Sequence, residues 1–326
     1  MSIAISGSSI TFPDLTTQIT AAVGAGFKNR IYNGDMRIWQ RGTSFTNPTL
    51  ANYYTADRWG ANRSSDVNGA VVSRIASGLA GFEYALALQR ASGNTSAESL
   101  SLQYSNESTN TYDLVGSPVT LSFWAKTGSN YSGGPLFVRI RSGTGVDQRV
   151  YAYTGLNDFA ASTQAITSTW TRYSLTGTVP SSTTQLGFYM YWTPPATAAG
   201  ADDSVYITGV QLEQGSTATE FERRPIGTEL ALCQRYFFKT TQGLGLAQSG
   251  AELYGGGLTF PVTMRTTPTL ASGASYAVAS GSAGVVQLLN QAGAPNSTGG
   301  VVINNSSNNW SVTVRVAVTA GFEAEL

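Results

Sequence analysis

Between residues 27 and 225, hydrophobic and polar positions alternate with a period of two in short runs separated by Gly, Asn, Ser and Pro. The runs are Ala70–Arg74, Tyr84–Gln89, Leu100–Tyr104, Val119–Lys126, Leu136–Arg141, Arg149–Tyr153, Thr171–Thr176, Leu186–Trp192 and Val205–Glu213. Each predicts a strand, because successive side chains of a strand point to opposite faces of its sheet. Many short strands with no sustained helical period predict an all-β β-sandwich over residues 28–225. The alternation also assigns faces. Val119, Leu121, Phe123 and Ala125 share one face, and Thr120, Ser122, Trp124 and Lys126 the other. Phe188, Met190 and Trp192 oppose Tyr189 and Tyr191. Both runs carry aromatic rings on two faces, so one set is core and the other meets solvent or a neighbour.

The period changes at residues 226–238. Leu230, Cys233 and Phe237 are spaced for one side of a helix, and Thr228 suits an N-cap. This segment reads as a linker helix. Residues 239–326 return to strand patterning, with runs at Gly284–Leu289, Gly300–Asn304 and Trp310–Thr319. They predict a smaller C-terminal β domain, too short to bury a two-sheet core alone, and therefore packed against neighbours or between chains. Residues 1–27 are small and polar. Ile3 and Ile5 suit one short strand, and Leu15, Ile19 and Val23 are spaced by four. The segment has too little apolar area to fold alone and reads as an arm.

Composition narrows the chemistry. The 326-residue chain has no histidine, which removes Ser-His-Asp and Cys-His catalysis and most zinc sites. Its one cysteine, Cys233, cannot form an internal disulfide and is expected to be a buried structural thiol. Nineteen Lys+Arg balance nineteen Asp+Glu, so no basic face for nucleic acid is expected. Sixteen of the basic residues are arginine, whose planar fork makes fixed multi-donor contacts. No apolar run is long enough for a membrane span, and no membrane insertion is expected. The N-terminus lacks a secretory pattern.

Several motifs in the right order resemble bacteriophage tail-fibre and receptor-binding proteins, especially those of cyanophages and other marine phages. They are Asn29-Arg-Ile-Tyr-Asn-Gly-Asp-Met-Arg-Ile-Trp-Gln-Arg-Gly, Tyr54-Thr-Ala-Asp-Arg-Trp, Ser122-Phe-Trp-Ala-Lys, Trp170-Thr-Arg-Tyr-Ser, Gly209-Val-Gln-Leu-Glu-Gln-Gly, Ala218-Thr-Glu-Phe-Glu-Arg-Arg-Pro and Glu229-Leu-Ala-Leu-Cys-Gln-Arg-Tyr. Residues 29–213 also resemble carbohydrate-binding jelly-roll modules. The resemblance implies a virion protein, made in the host cytoplasm, that adsorbs to a bacterial surface polysaccharide or lipopolysaccharide. It implies a homotrimer attached to tail or baseplate proteins through residues 1–27. The other readings are a purely structural virion component and, more distantly, a glycan depolymerase. The carboxylates are scattered in sequence, and no enzyme activity is expected.

Sugar recognition needs flat rings against C–H faces with amides, carboxylates and arginines for hydroxyls. Trp124, Tyr151, Tyr153, Tyr189 and Tyr191 lie on predicted strands and are the candidate ligand-binding residues. Core or inter-subunit packing is the commoner use of such rings. In the Asp57-Arg58-Trp59 motif, the arginine suits a carboxylate partner and the tryptophan the core, which makes a structural latch the favoured reading. Asp35, Asp202 and Asp203 are oxygen ligands of the kind a structural calcium takes. Ordinary turn chemistry accounts for them without a metal and is preferred. No other cofactor is expected.

Overall fold

The computed structural model describes residues 27–48, 54–62, 69–239, 260–266 and 323–325 with their side chains. It also describes the backbone of Arg63, Thr240 and short strand segments in the terminal regions. Eleven strands build a two-sheet sandwich. They are β1 (Ser44–Thr46), β2 (Gly60–Arg63), β3 (Ala70–Leu79), β4 (Phe82–Arg90), β5 (Leu100–Ser105), β6 (Pro118–Thr127), β7 (Leu136–Gly143), β8 (Asn157–Gln164), β9 (Thr171–Thr178), β10 (Gln185–Trp192) and β11 (Asp203–Gln214). The six-stranded sheet has the order β9-β6-β11-β4-β3-β1, and the five-stranded sheet the order β8-β7-β10-β5-β2. All pairings are antiparallel.

The last eight strands follow the jelly-roll order. β4, β11, β6 and β9 lie side by side in one sheet; β5, β10, β7 and β8 lie side by side in the other. The chain crosses between sheets at every step except the β7–β8 connection. Alternation makes this possible, because each strand gives one row of side chains to the space between the sheets. Leu121 and Phe123 of β6 meet Val138 and Ile140 of β7 and Phe188 and Met190 of β10 in one fully buried cluster. At its centre Trp59 contacts Tyr104 and Phe188, each at 5.5 Å between ring centroids. Such aromatic pairs each contribute about 0.5–1.5 kcal/mol beyond burial of their area.

Eight of the nine predicted runs are strands, most of them one or two residues longer than the alternation. The exception is Arg149–Tyr153. Residues Val150–Ala152 form a single 3-10 turn inside the β7–β8 connection. The real neighbour of β7 is β8, whose sequence Asn-Asp-Phe-Ala-Ala-Ser-Thr-Gln hides its alternation in small and polar residues. The helix is also shorter than expected. α1 spans Ile226–Gln234, and Pro225 rather than Thr228 is its N-cap. Proline fits there because it has no N–H to leave unpaired. Phe237 belongs to the next strand, β12 (Phe237–Thr240), where the guanidinium of Arg41 lies 3.7 Å from its ring centroid.

β12 pairs with β13 (Ala320–Glu323), which brings these two segments side by side. Residues 323–325 are then held in place: Ala324 N–H donates to the Tyr236 carbonyl at 2.7 Å, and Arg265 Nη2 donates to the Glu325 carbonyl at 2.7 Å. The expected strands in the terminal regions are present as Ala4–Ser6, Val285–Leu288, Val301–Asn304 and Val314–Ala317. Leu15, Ile19 and Val23 lie outside the described residues.

The two most distinctive sequence motifs form one structural latch. In the turn at residues 33–36, the Asn33 side chain accepts from the Ile38 N–H at 2.8 Å and donates to the Ile38 carbonyl at 2.8 Å. Gly34 is required there, since an added Cβ would stand 2.1 Å from the Val210 carbonyl oxygen of β11. Trp59 Nε1 donates to the Asn33 carbonyl at 3.0 Å, tying the second motif to the first. Buried Arg58 pairs with the Glu325 carboxylate, donates to the Ser105 carbonyl at 2.6 Å and stacks 3.6 Å from the Tyr236 ring centroid. Asp57 is fully buried; it accepts from the Gln40 backbone at 2.9 Å, and burial pushes its carboxyl up. Cys233 is buried at the same place, and burial raises its thiol well above the ordinary value.

Candidate functional site

Alternation in β7 and β10 places two unlike rows on the two sides of the five-stranded sheet. Leu136, Val138, Ile140, Phe188, Met190 and Trp192 face the core. Phe137, Arg139, Arg141, Tyr189 and Tyr191 therefore face outward. The strand register arranges this outer side in three transverse rows. The first runs Thr163, Phe137, Tyr191, Ser101, Asn62, and the second Ala161, Arg139, Tyr189, Gln103, Gly60. The third runs Asp158, Arg141, Gly187, Ser105; a bulge after Ile140 is what brings Asp158 opposite Arg141.

The rings form one platform. Phe137 and Tyr191 stack with centroids 4.8 Å apart and planes 13° from parallel, and Tyr189 lies 5.3 Å from Tyr191. All three are half-buried. Polar groups surround them. Arg141 lies over the Tyr189 ring at 4.2 Å and its Nε donates to Asp158 at 2.7 Å. Arg139 reaches the other Asp158 oxygen at 3.3 Å. On the far side, Gln103 Nε2 donates to Asn62 Oδ1 at 2.9 Å and to Ser101 Oγ at 3.0 Å. Burial raises the Tyr189 phenol above its ordinary value, against the opposing effects of its hydrogen bond with Ser101 and the Arg141 charge. The phenol is thus neutral near pH 7 and able to donate.

One end of this face is closed by the 144–156 connection. Tyr153 packs into it, 5% exposed, against Gly143 and Gly187. A Cβ at Gly187 would stand 2.4 Å from the Tyr104 carbonyl oxygen and 2.8 Å from the Tyr153 hydroxyl, so glycine leaves room for both. Tyr153 is thus a buried wall rather than a ring on a strand. Tyr151, on the 3-10 turn, is 37% exposed at the molecular surface.

The outer side of the six-stranded sheet is different, because the chain covers much of it. Trp170 Nε1 donates to the Ser77 carbonyl at 2.9 Å, which draws the tip of the β3–β4 hairpin over the sheet toward its β9 edge. Phe82 of that hairpin packs on Phe221 at 5.2 Å. Residues 215–219 cross β6, where Thr120 Oγ1 donates to the Gly215 carbonyl at 2.8 Å and Arg172 bridges Ser122 and the Thr219 carbonyl. Trp124 lies on this sheet, away from the tyrosines.

Of the five aromatic candidates, Tyr189 and Tyr191 share the platform, Tyr153 walls its end, Tyr151 is on the connection outside it, and Trp124 belongs to the opposite sheet. The three metal candidates do not converge. Asp35 pairs with Arg37 at 2.6 Å in the latch turn. Asp203 is fully buried and paired with Arg90 at 2.9 Å, and it also accepts from Ser132. Asp202 accepts from the Ser129 N–H at 2.8 Å and from the Tyr206 hydroxyl. Turn and ion-pair chemistry therefore occupies these carboxylates, and among the described residues no three acidic or sulfur side chains are grouped to hold a metal. Phe137, Arg139, Arg141, Asp158, Gln103 and Asn62 were not among the sequence candidates. The first three were legible as the polar-side partners of Leu136, Val138 and Ile140; the others depend on register.

No family model matches the chain, and no curated protein matches it. Solved structures resemble it at low sequence identity. One is described as "CBM4 structure and function": 17% identity, TM-score 0.35, covering 56% of this chain and 98% of that one. Another is the C-terminal family 22 carbohydrate-binding module of Clostridium thermocellum Xyn10B: 15% identity, TM-score 0.35, covering 53% and 99%. A third is the enzymatically active domain of bacteriophage CBA120 tailspike protein 4: 14% identity, TM-score 0.32, covering 55% of this chain and 23% of that one.

Proposed function

We propose that the outer face of the five-stranded sheet binds a polysaccharide, and that the chain is a phage fibre or receptor-binding protein that uses this face to adsorb to a bacterial surface glycan. The observation that carries the reading is the ring platform of Phe137, Tyr189 and Tyr191, bordered by two arginines, a carboxylate and two amides on the sheet that the described residues cover less. Rings offer flat apolar area to sugar C–H groups, and the bordering groups offer donors and acceptors to hydroxyls. The ordered motifs of residues 29–238 support the virion setting. Residues 1–27 would then be the attachment arm, and a homotrimer would multiply a weak single-site affinity.

Binding without hydrolysis fits this face better than depolymerase activity. Glycosidases commonly use two carboxyls about 5–9.5 Å apart, and the three rows bring only Asp158 to this face.

The test is adsorption. The full chain, labelled, is applied to surfaces coated with lipopolysaccharides from a panel of bacteria and to the corresponding cells, and it is then used to compete with phage for infection. Saturable binding that blocks infection, lost in Tyr191→Ala, is the expected outcome. Protein that neither labels any surface nor blocks infection contradicts the adsorption role, leaving the platform as a packing surface of a structural virion component.

A further inference from the structure

Arg139 and Arg141 are two residues apart on β7, so both point outward from the five-stranded sheet; Arg139 stands opposite Tyr189 on β10, and the Arg141 guanidinium lies 4.2 Å from the Tyr189 ring centroid. One carboxylate serves both. Asp158 Oδ1 accepts from Arg141 Nε at 2.7 Å, and Asp158 Oδ2 faces Arg139 Nε at 3.3 Å. Both oxygens of Asp158 are thereby engaged by Nε atoms, and the Arg141 guanidinium also lies over the Tyr189 ring. Among the described residues, no protein group accepts from the terminal amino groups of either guanidinium. The two side chains are only 27% and 14% exposed. Among the described residues the three rows contain no other acid, so they bring two positive charges and one negative to the face, in a chain whose formal net charge is zero.

Two partly desolvated guanidiniums beside a single carboxylate leave one unit of positive charge unbalanced. A guanidinium fork fits a carboxylate or another oxyanion through parallel N–H donors better than it fits a neutral hydroxyl. The Phe137–Tyr191 stack occupies the row next to Arg139, so a sugar ring lying on Tyr191 brings its substituents to that arginine. The same row as Arg139 ends at Ala161, whose exposed methyl leaves its approach uncharged.

We propose that the ligand is an acidic glycan, a sugar bearing a carboxylate or sulfate that docks on the free amino groups of Arg139 and Arg141 while its ring lies on Tyr191. This rests on the reading of the face as a polysaccharide site and adds the charge class of what it takes.

The experiment is affinity electrophoresis of the full chain at 0.15 M salt, where long-range attraction is largely screened, in gels containing polygalacturonate, dextran sulfate or uncharged dextran. The expected result is retardation by an acidic polymer at a concentration at least tenfold lower than by dextran, with the two acidic arms telling carboxylate from sulfate. Arg139→Gln weakens that retardation about tenfold. Ala161→Glu, which places a competing carboxylate beside an intact Arg139, does the same without deleting a basic residue, and thermal unfolding of both variants reports whether the fold is kept. Arg74→Gln, on the other sheet, changes nothing. Equal retardation by dextran and the acidic polymers, lost in Tyr191→Ala but unchanged in Arg139→Gln, overturns the proposal and leaves the polysaccharide face standing. Equal weakening by Arg74→Gln and Arg139→Gln also overturns it, since general polyanion attraction then suffices. No retardation by any polymer, or retardation that survives Tyr191→Ala, overturns the proposal together with the reading beneath it.

Discussion

Arg58 is fully buried, and its backbone lies in the left-handed region at φ 73°, a conformation a branched or bulky residue adopts at a cost. Its surroundings hold it there: the Glu325 carboxylate, the Ser105 carbonyl and the face of Tyr236. Removing one partner of a buried pair leaves the other uncompensated, which typically costs about 3 kcal/mol. Glu325→Gln is therefore expected to lower the thermal midpoint by about 6–12 °C. Glu323→Gln, at a pair whose carboxylate is 35% exposed, is expected to cost less than about 1 kcal/mol. An unchanged midpoint in Glu325→Gln contradicts the latch. The role of Arg58 was legible from its motif, as an arginine seeking a carboxylate beside a tryptophan seeking the core. Its partner was not, because the two lie 267 residues apart and nothing local marks a glutamate near the end of the chain as the one that returns.

At the scale of elements, alternation identified strands wherever large apolar residues marked every second position, as in β6 and β10. It failed in the 144–164 stretch, where Tyr151 and Tyr153 suggested a strand and β8 offered only small and polar residues. The consequence reached the site: Tyr153 is a wall, and Asp158 comes into play only through the register of β8. The helix was legible in kind but not in length, because Phe237 fits a helical spacing as well as it fits β12. α1 is followed directly by Arg235, whose guanidinium binds Glu107 through two hydrogen bonds of 3.0 and 3.1 Å. Burial pushes the Glu107 carboxyl up, but hydrogen bonds from Arg235 and Tyr236 and the Arg235 charge outweigh it, so the group lies below its ordinary value. A depressed carboxyl stabilises the fold above its unfolded pKa, and the contribution is lost as the pH falls through the folded value. Glu107→Gln is thus expected to cost about 1–2 kcal/mol at pH 7, after allowance for the 38% exposure of Arg235. In urea titrations its curve should approach that of the parent chain as the pH falls through the lowered Glu107 value. A difference that persists unchanged into acid contradicts the ion-pair account of how α1 is held.

At the scale of the whole molecule, the jelly roll presents two outer faces, and the chain itself covers much of one. The sequence assigned aromatic rings to both faces without telling which the chain would cross; among the described residues, 215–219 and the hairpin tip cross the six-stranded sheet. Low charge and abundant hydroxyls and amides suit short-range recognition that depends little on long-range attraction. A trimer is expected from the fibre reading, and light scattering of the full chain should give three times the mass of one chain; a stable monomer contradicts it. On the proposed reading, the five-stranded sheet, and not the six-stranded one, binds polysaccharide. The most direct test of that reading compares Tyr191→Ala with Trp124→Ala for binding to one polysaccharide that retains the parent chain. Loss of at least tenfold in affinity for Tyr191→Ala, equivalent to about 1.4 kcal/mol, with less than twofold change for Trp124→Ala, is the predicted result. The reverse pattern, or equal effects of the two substitutions, contradicts it.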